Sequence, residues 1–211
     1  MARPARPLLS RDRVVAAALR IIDNEGLAAC SLPRLARQFG VRTPSLYHHF
    51  TDRAEIMAEV ARAIVRETVV PQRDRDCFWT DWFVELGCNF RRTILRHPNA
   101  APVLLEFVPR DVLSRLYDDA AAYLAASGVP SSRHVLILDG LETLTLGAAL
   151  TQATKPAATR EMIFPHTGGA GESALARAVK ANEWRSTERL YVEVIRTFLR
   201  SASGQTEPET T

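Results

Sequence analysis

Apolar positions recur every three or four residues along most of this chain, and no segment alternates at period two for long enough to make a sheet. The expected fold class is therefore all-α. Val14, Val15, Ala18, Leu19 and Ile22 mark a first amphipathic helix. Ser10 stands where it can cap that helix, Asp12 suits its positive end, and Asn24-Glu25-Gly26 ends it. Ser31 can cap a second helix whose inward face is Leu32, Leu35, Ala36 and Phe39, with Arg34 and Arg37 outward. Gly40 can adopt the positive φ that stops a helix. Thr43 then offers a capping oxygen and Pro44 a first helical position, opening a short helix. Leu46 and Phe50 face inward on it, which leaves Ser45, Tyr47, His48 and His49 outside. Asp52 caps a following helix carrying Ile56, Val60, Ala63 and Ile64, expected to run to about Val69. Helix, glycine turn and second capped helix with a polar outer face form a helix-turn-helix candidate. Helices this short must share one small core with the start of the fourth.

The second part of the chain repeats the helical period with heavier apolar content. A polar break at residues 72–76 precedes a long helix bearing Phe78, Trp79, Trp82, Phe83, Leu86, Phe90 and Ile94, ended by His97-Pro98. A shorter apolar segment spans 100–108. Leu113, Leu116, Tyr117, Ala120 and Leu124 describe another helix, closed by Gly128 and Pro130. The helix expected over 131–153, opened by Ser131 or Ser132, is apolar on more than one face, with Gly140 and Gly147 allowing close approach. Residues 154–173 read as a flexible loop, and its Gly168-Gly169-Ala170-Gly171 lacks the preceding strand and following Lys-Ser/Thr of a phosphate loop. A short helix is expected over 174–182 and a last helix over about 184–201, the latter with Leu190, Tyr191, Val194, Ile195, Phe198 and Leu199 on one broad face. The expected domains are a DNA-binding head at 10–55 and a helical body at 56–201. Residues 1–9 and 202–211 are expected to be disordered.

Charge sharpens this division. Residues 1–53 hold nine arginines against four acids, a formal +5, whereas the rest of the 211-residue chain is at −2. A basic head on a slightly acidic body fits a phosphate-binding module joined to a ligand-binding or dimerising one. The abundance of arginine, 25 of 27 basic residues, does not by itself account for the change of sign. Cys30, Cys77 and Cys88 show no metal or disulfide spacing, no signal peptide is visible, and no run reaches ~18 uninterrupted apolar residues. A cytoplasmic protein without a membrane span or cofactor is expected.

These residues carry a family resemblance. Ser31-x3-Leu35-Ala36-x3-Gly40-Val41-x-Thr43-Pro44-Ser45-Leu46-Tyr47-x-His49-Phe50-x-Asp52-Arg53-x2-Ile56 resembles the DNA-binding domain of the TetR/AcrR family of bacterial repressors, over roughly residues 10–60. Pro33 is a mild departure, at a position where a proline removes no intrahelical bond. The resemblance implies that Arg34, Thr43, Pro44, Ser45 and His48 face base edges, and that Ser31, Arg42, Tyr47, His49 and Arg53 hold phosphates of a double-stranded operator. Arg34 has the fork to chelate a guanine; Pro44 offers only apolar surface; Arg53 could equally be a solvated charge. Adjacent histidines on a helix diverge by ~100°, which argues against a metal site at His48 and His49.

For the body, the resemblance implies a homodimer through the helices at about 131–153 and 184–201, and a small-molecule pocket whose occupancy respaces the two heads. Trp82, Phe83, Phe90, Phe107 and Tyr117 are candidate lining groups. Asn89, His134, Asp139 and Glu142 are polar groups on apolar helices that could orient a ligand, each with a plain alternative as a core or surface residue. That much aromatic surface favours a hydrophobic or planar effector. The function expected is a sequence-specific transcriptional repressor released by such a ligand. An enzyme is disfavoured, because five scattered histidines form no HExxH, GxSxG or metal spacing. A helical protein-interaction scaffold, and a regulator that activates or has lost ligand control, stay open.

Overall fold

A computed structural model describes residues 9–73, 78–164 and 173–204. The head is built from three helices. α1 (Arg11–Glu25) is capped by the Ser10 hydroxyl, which accepts from the Arg13 amide, and Gly26 stops it at φ 88°. A single 3-10 turn (Leu27–Ala29) leads to α2 (Leu32–Phe39), where the Ser31 hydroxyl accepts from the Arg34 amide at 3.3 Å. Gly40 ends α2 in the left-handed region at φ 65°. α3 (Arg53–Arg66) is capped by the Asp52 carboxylate, accepting from the Glu55 amide at 2.8 Å. It stops at Arg66, three residues short of the expected Val69.

The segment between α2 and α3 differs from expectation in kind. Thr43–His48 is a six-residue 3-10 helix rather than an α-helix, and Arg42 in extended conformation, not Thr43, occupies its cap, without a side-chain bond. Pro44 sits inside its first turn. Leu46 and Phe50 nevertheless point inward and are buried with Val14, Ala18, Ile22, Leu35, Ile56 and Val60.

The body comprises α4 (Trp79–Arg96), α5 (Ala101–Glu106), α6 (Arg110–Ala126), α7 (Ser131–Ala153), α8 (Ala174–Ala181) and α9 (Thr187–Ser203). α7 lies at its centre, packed by α4, α6 and α9. Neither Ser131 nor Ser132 caps α7; Pro130 holds that place. By length and mean hydropathy α7 matches a membrane span, but Arg133, His134, Asp139 and Glu142 interrupt it and it sits against α4, α5, α6 and α9 of its own chain. Gly140 admits the Phe198 ring of α9 so closely that a Cβ would overlap it, whereas a Cβ at Gly147 would meet no atom of the described residues within 4 Å. Val135 and Leu136 of α7 and Val194 of α9 remain exposed.

Two apolar cores result. One runs without a break from α1 and α2 through α3 into Ile94, Ala100, Ala101, Val103, Leu104, Leu113 and Ala149, so the expected boundary at 55/56 falls within a helix that both parts share. The other joins Trp79, Trp82, Phe83, Leu124, Ile137, Ile195 and Leu199. Cys30 and Cys88 are buried thiols whose pKa values burial raises.

The chain ends depart from expectation where they are described. Leu9 packs against the head core, and Ala202 and Ser203 are buried in the last turn of α9, so ordered structure extends beyond 201. Trp184 precedes α9, which the Ser186 hydroxyl caps. Residues 1–8, 205–211, Asp74–Asp76 of the polar break and the Gly168–Gly171 stretch lie outside the described residues. Of the 154–173 segment, the described part contains a 3-10 turn (Ala157–Thr159) and is tied back by Lys155 Nζ donating to the Met162 carbonyl at 2.7 Å.

Candidate nucleic-acid interface and effector cavity

The 43–48 turn presents its outer face because Leu46 anchors the inner one. Arg42, Pro44, Tyr47 and His48 are exposed; Thr43, Ser45 and His49 are half-buried beside them. Tyr47 is 55% exposed, so its ring is not part of the core. A brace holds this turn from behind. Arg11 donates to the His49 carbonyl, ion-pairs with Glu55 at 2.7 Å and Glu59 at 3.1 Å, and stacks over Phe50 at 4.5 Å. Glu55 in turn accepts from the Thr51 amide at 2.6 Å and the Thr51 hydroxyl at 3.0 Å. The Thr51 amide, Arg11 and the Thr51 hydroxyl together lower the Glu55 pKa to about 2. Sequence reading missed Arg11; its role depends on contacts 38 and 44 residues away.

The other expected contacts are placed less simply. Ser31 spends one lone pair on its cap and keeps a hydroxyl proton to donate. Arg34 is held in the same region by a two-point pair with Glu25 and by Gln38 Oε1 at 3.0 Å. Its guanidinium is 27% exposed and keeps the Glu25 carboxyl below the usual carboxylate range. Arg53 does not stand free as a phosphate clamp. Its Nε donates to the Cys30 carbonyl at 2.8 Å and an Nη to the Leu27 carbonyl at 3.3 Å, tying α3 to the turn before α2.

In the body, α3, α4, α6 and α7 enclose a cavity of about 240 Å³. Phe83, Phe90, Tyr117 and Glu142, among the expected residues, line it; the rest of its wall is mainly Val, Leu and Ala. The remaining candidates lie elsewhere for identifiable reasons. Trp82 faces the second core and donates its indole N–H to the Pro71 carbonyl at 2.9 Å. Asn89 is spent on the Val69 carbonyl and Arg92, and Phe107 packs at the end of α5. His134 bonds the Val129 carbonyl at 2.9 Å at the start of α7, and Asp139 is exposed. Sequence reading overlooked Val65, Arg66, Thr68 and Val70, which carry the C-terminal end of α3 and its exit into the cavity wall. No motif marks them; only the fold brings them there.

The cavity has one polar corner. The Tyr117 hydroxyl donates to Glu142, and burial, then the Glu142 carboxylate, push the Tyr117 pKa upward, keeping the phenol protonated. Thr145 donates to the Leu141 carbonyl at 2.6 Å and meets the Tyr191 hydroxyl at 2.7 Å, so its hydroxyl is engaged.

Residues 14–60, from α1 through the middle of α3, match the model of the bacterial regulatory proteins of the tetR family. The span includes every residue of the exposed turn. Similarity continues into the body: an HTH-type transcriptional regulator of Saccharopolyspora erythraea is 27% identical over 179 residues, covering 84% of this chain and 72% of that protein. These matches support a TetR family regulator. The Escherichia coli class C tetracycline repressor is 26% identical over 155 residues, 72% of this chain and 70% of the repressor. The crystal structure of the Streptomyces coelicolor TetR family protein ActR with (S)-DNPA superposes with a TM-score of 0.72 at 25% identity, covering 93% of this chain and all of that one. Together they show a DNA-binding transcriptional regulator with a helix-turn-helix head and a helical body. Family and fold are those of non-enzymatic regulators.

Proposed function

We propose that this chain is a cytoplasmic, homodimeric repressor, with no catalytic role, that leaves its operator when a small apolar molecule fills the α3/α4/α6/α7 cavity. One observation carries the reading: α3 is capped directly behind the 43–48 turn and ends in the cavity wall. Fourteen residues at about 1.5 Å each give a rigid rod of about 21 Å between the two. A molecule that displaces Val65 and Thr68 tilts the rod, and the exposed turn moves with it.

Dimerisation is supported by the outer faces of α7 and α9. Thr143, Gly147 and Thr151 on one helix and Leu190 and Val194 on the other line a shallow groove, and Gly147 has open space where a second backbone could approach. Two copies joined there form a four-helix bundle with two heads. Within each head, Arg42, Thr43, Pro44, Ser45, Tyr47 and His48 form the groove-facing surface. Arg34 reads a base once it leaves Glu25, and Ser31 and His49 contact phosphates. In support, the tetracycline repressor similar to this chain is named a repressor, and the ActR structure is a complex with (S)-DNPA.

Selection of bound sequences from a random double-stranded DNA pool at near-physiological salt tests this. A pseudopalindrome with half-sites about 34–36 Å apart is expected. No enrichment, or binding that disappears with modest salt, would overturn the reading in favour of a scaffold.

A further inference from the structure

We infer that the cavity selects a compact molecule of one or two rings carrying a hydrogen-bond-donating head, best a protonated amine, seated on Glu142, and that it rejects carboxylates. The inference deepens the effector-site reading and rests on it. Size sets the first limit. About 240 Å³ lies below the ~300–1,000 Å³ of sites for drug-sized ligands, which restricts an occupant to a small ring system between Phe83, Phe90 and the surrounding aliphatic side chains.

Glu142 sets the polarity. Its side chain is 15% exposed, on α7, in a wall otherwise mainly apolar. A carboxylate can accept about four hydrogen bonds. Among the described residues Glu142 accepts one, from the Tyr117 hydroxyl. Arg110 Nη1 lies 4.0 Å away, beyond hydrogen-bond range, on a side chain that is 71% exposed and screened by water. A carboxylate with spare lone pairs in a desolvated site is stabilised by any donor that reaches it, and most by a cation. An anion placed there meets repulsion, and the one cationic side chain that lines the wall, Arg66 at the end of α3, is exposed and screened by water rather than a buried counter-charge.

The neighbouring hydroxyls do not change the sign. Tyr117 keeps its proton and spends it on Glu142; Thr145 is engaged with Leu141 and Tyr191. Thr68 Oγ1, at the end of the α3 wall, is buried with no hydrogen-bond partner among the described residues. A second polar group on the ligand has a receptor there, on the segment that follows the rod to the head.

The test uses one ring system with three heads: 1-naphthylmethylamine, 1-naphthalenemethanol and 1-naphthoic acid, titrated calorimetrically into the full chain near neutral pH. The amine is expected to bind tightest and the acid weakest, at least about tenfold apart. Glu142→Gln should bring amine and acid within about threefold of each other, and Tyr117→Phe, which frees a lone pair, should widen the gap. Equal or tighter binding of the acid, a gap that survives Glu142→Gln, or no binding by any of the three overturns the inference. Operator binding is measured on the same preparations. Amine binding that leaves the operator complex intact supports the head-group chemistry and removes ligand control. Failure of operator binding removes the repressor reading, whatever the titrations give.

Discussion

Arg34 and Glu25 face each other across the turn between α1 and α2, Nε to Oε2 at 3.2 Å and Nη2 to Oε1 at 2.6 Å. This two-point geometry is the one a guanidinium uses on a guanine edge or a phosphate, so nucleic acid must displace Glu25 to recruit Arg34. Arg34→Ala is expected to lower discrimination at one base pair by ~1–3 kcal/mol. Glu25→Ala frees the guanidinium for any phosphate. It should raise affinity for random-sequence DNA and steepen the salt dependence by about one unit, read by fluorescence anisotropy over a salt series. An unchanged slope in Glu25→Ala would show that Arg34 stays off the DNA.

Arg53 should behave differently, because its partners are the Cys30 and Leu27 carbonyls. Arg53→Ala is expected to cost about 1 kcal/mol in urea unfolding without DNA, from the lost charged hydrogen bonds. A variant as stable as the parent but weaker on every DNA sequence would return Arg53 to the phosphate-binding set.

Glu55 makes stability of the head depend on acid. Its pKa falls from an ordinary 4.5 to about 2 in the folded chain, so the unfolded state takes up its proton first as pH drops. The stabilisation is complete above about 4.5 and is lost as pH falls toward about 2. Glu55→Gln should therefore melt below the parent at neutral pH, and the two melting temperatures should converge as the pH is lowered through that window. Parallel curves would show that Glu55 has no such role.

Filling the cavity with protein should mimic an occupant. Leu116 lines it, and Leu116→Trp places an indole in the space beside α3. Operator affinity without any effector is expected to fall by about tenfold while far-ultraviolet dichroism is unchanged. Undiminished operator binding by a folded variant would separate the cavity from the head.

Val194 is 45% exposed on α9, beside Gly147 and Leu190 at the proposed pairing face. Val194→Arg puts a charge where two copies would meet, so sedimentation should show a shift from dimer to monomer with helicity retained. A stable dimer in that variant would place the interface elsewhere.

Much of this architecture is legible locally. Ser10, Ser31 and Asp52 each cap the helix that follows, and Gly26 and Gly40 take the positive φ that ends one. Leu46 faces inward from the 3-10 helix, and Phe50, two residues past its end, reaches the same core because its amide closes an α-type bond to the Leu46 carbonyl at 3.0 Å. What local pattern does not carry is pairing at a distance. Nine residues separate Glu25 from Arg34, and thirty-eight separate Arg11 from the carbonyl it braces. The same holds for the cavity. Phe83 and Trp82 are neighbours with near-identical chemistry, yet 100° of helical rotation sends one to the cavity and the other to the Pro71 carbonyl. Thr68 has no apolar period to betray it.

Because α3 contributes side chains both to the core beneath the exposed turn and to the cavity wall, the two sites draw on one free-energy difference. Thermodynamic reciprocity then acts in both directions: whatever factor an occupant removes from operator affinity, the bound operator removes from the affinity for that occupant. An effector titration on the free chain and one on its DNA complex would return different dissociation constants, and their ratio would measure the coupling free energy between the two sites.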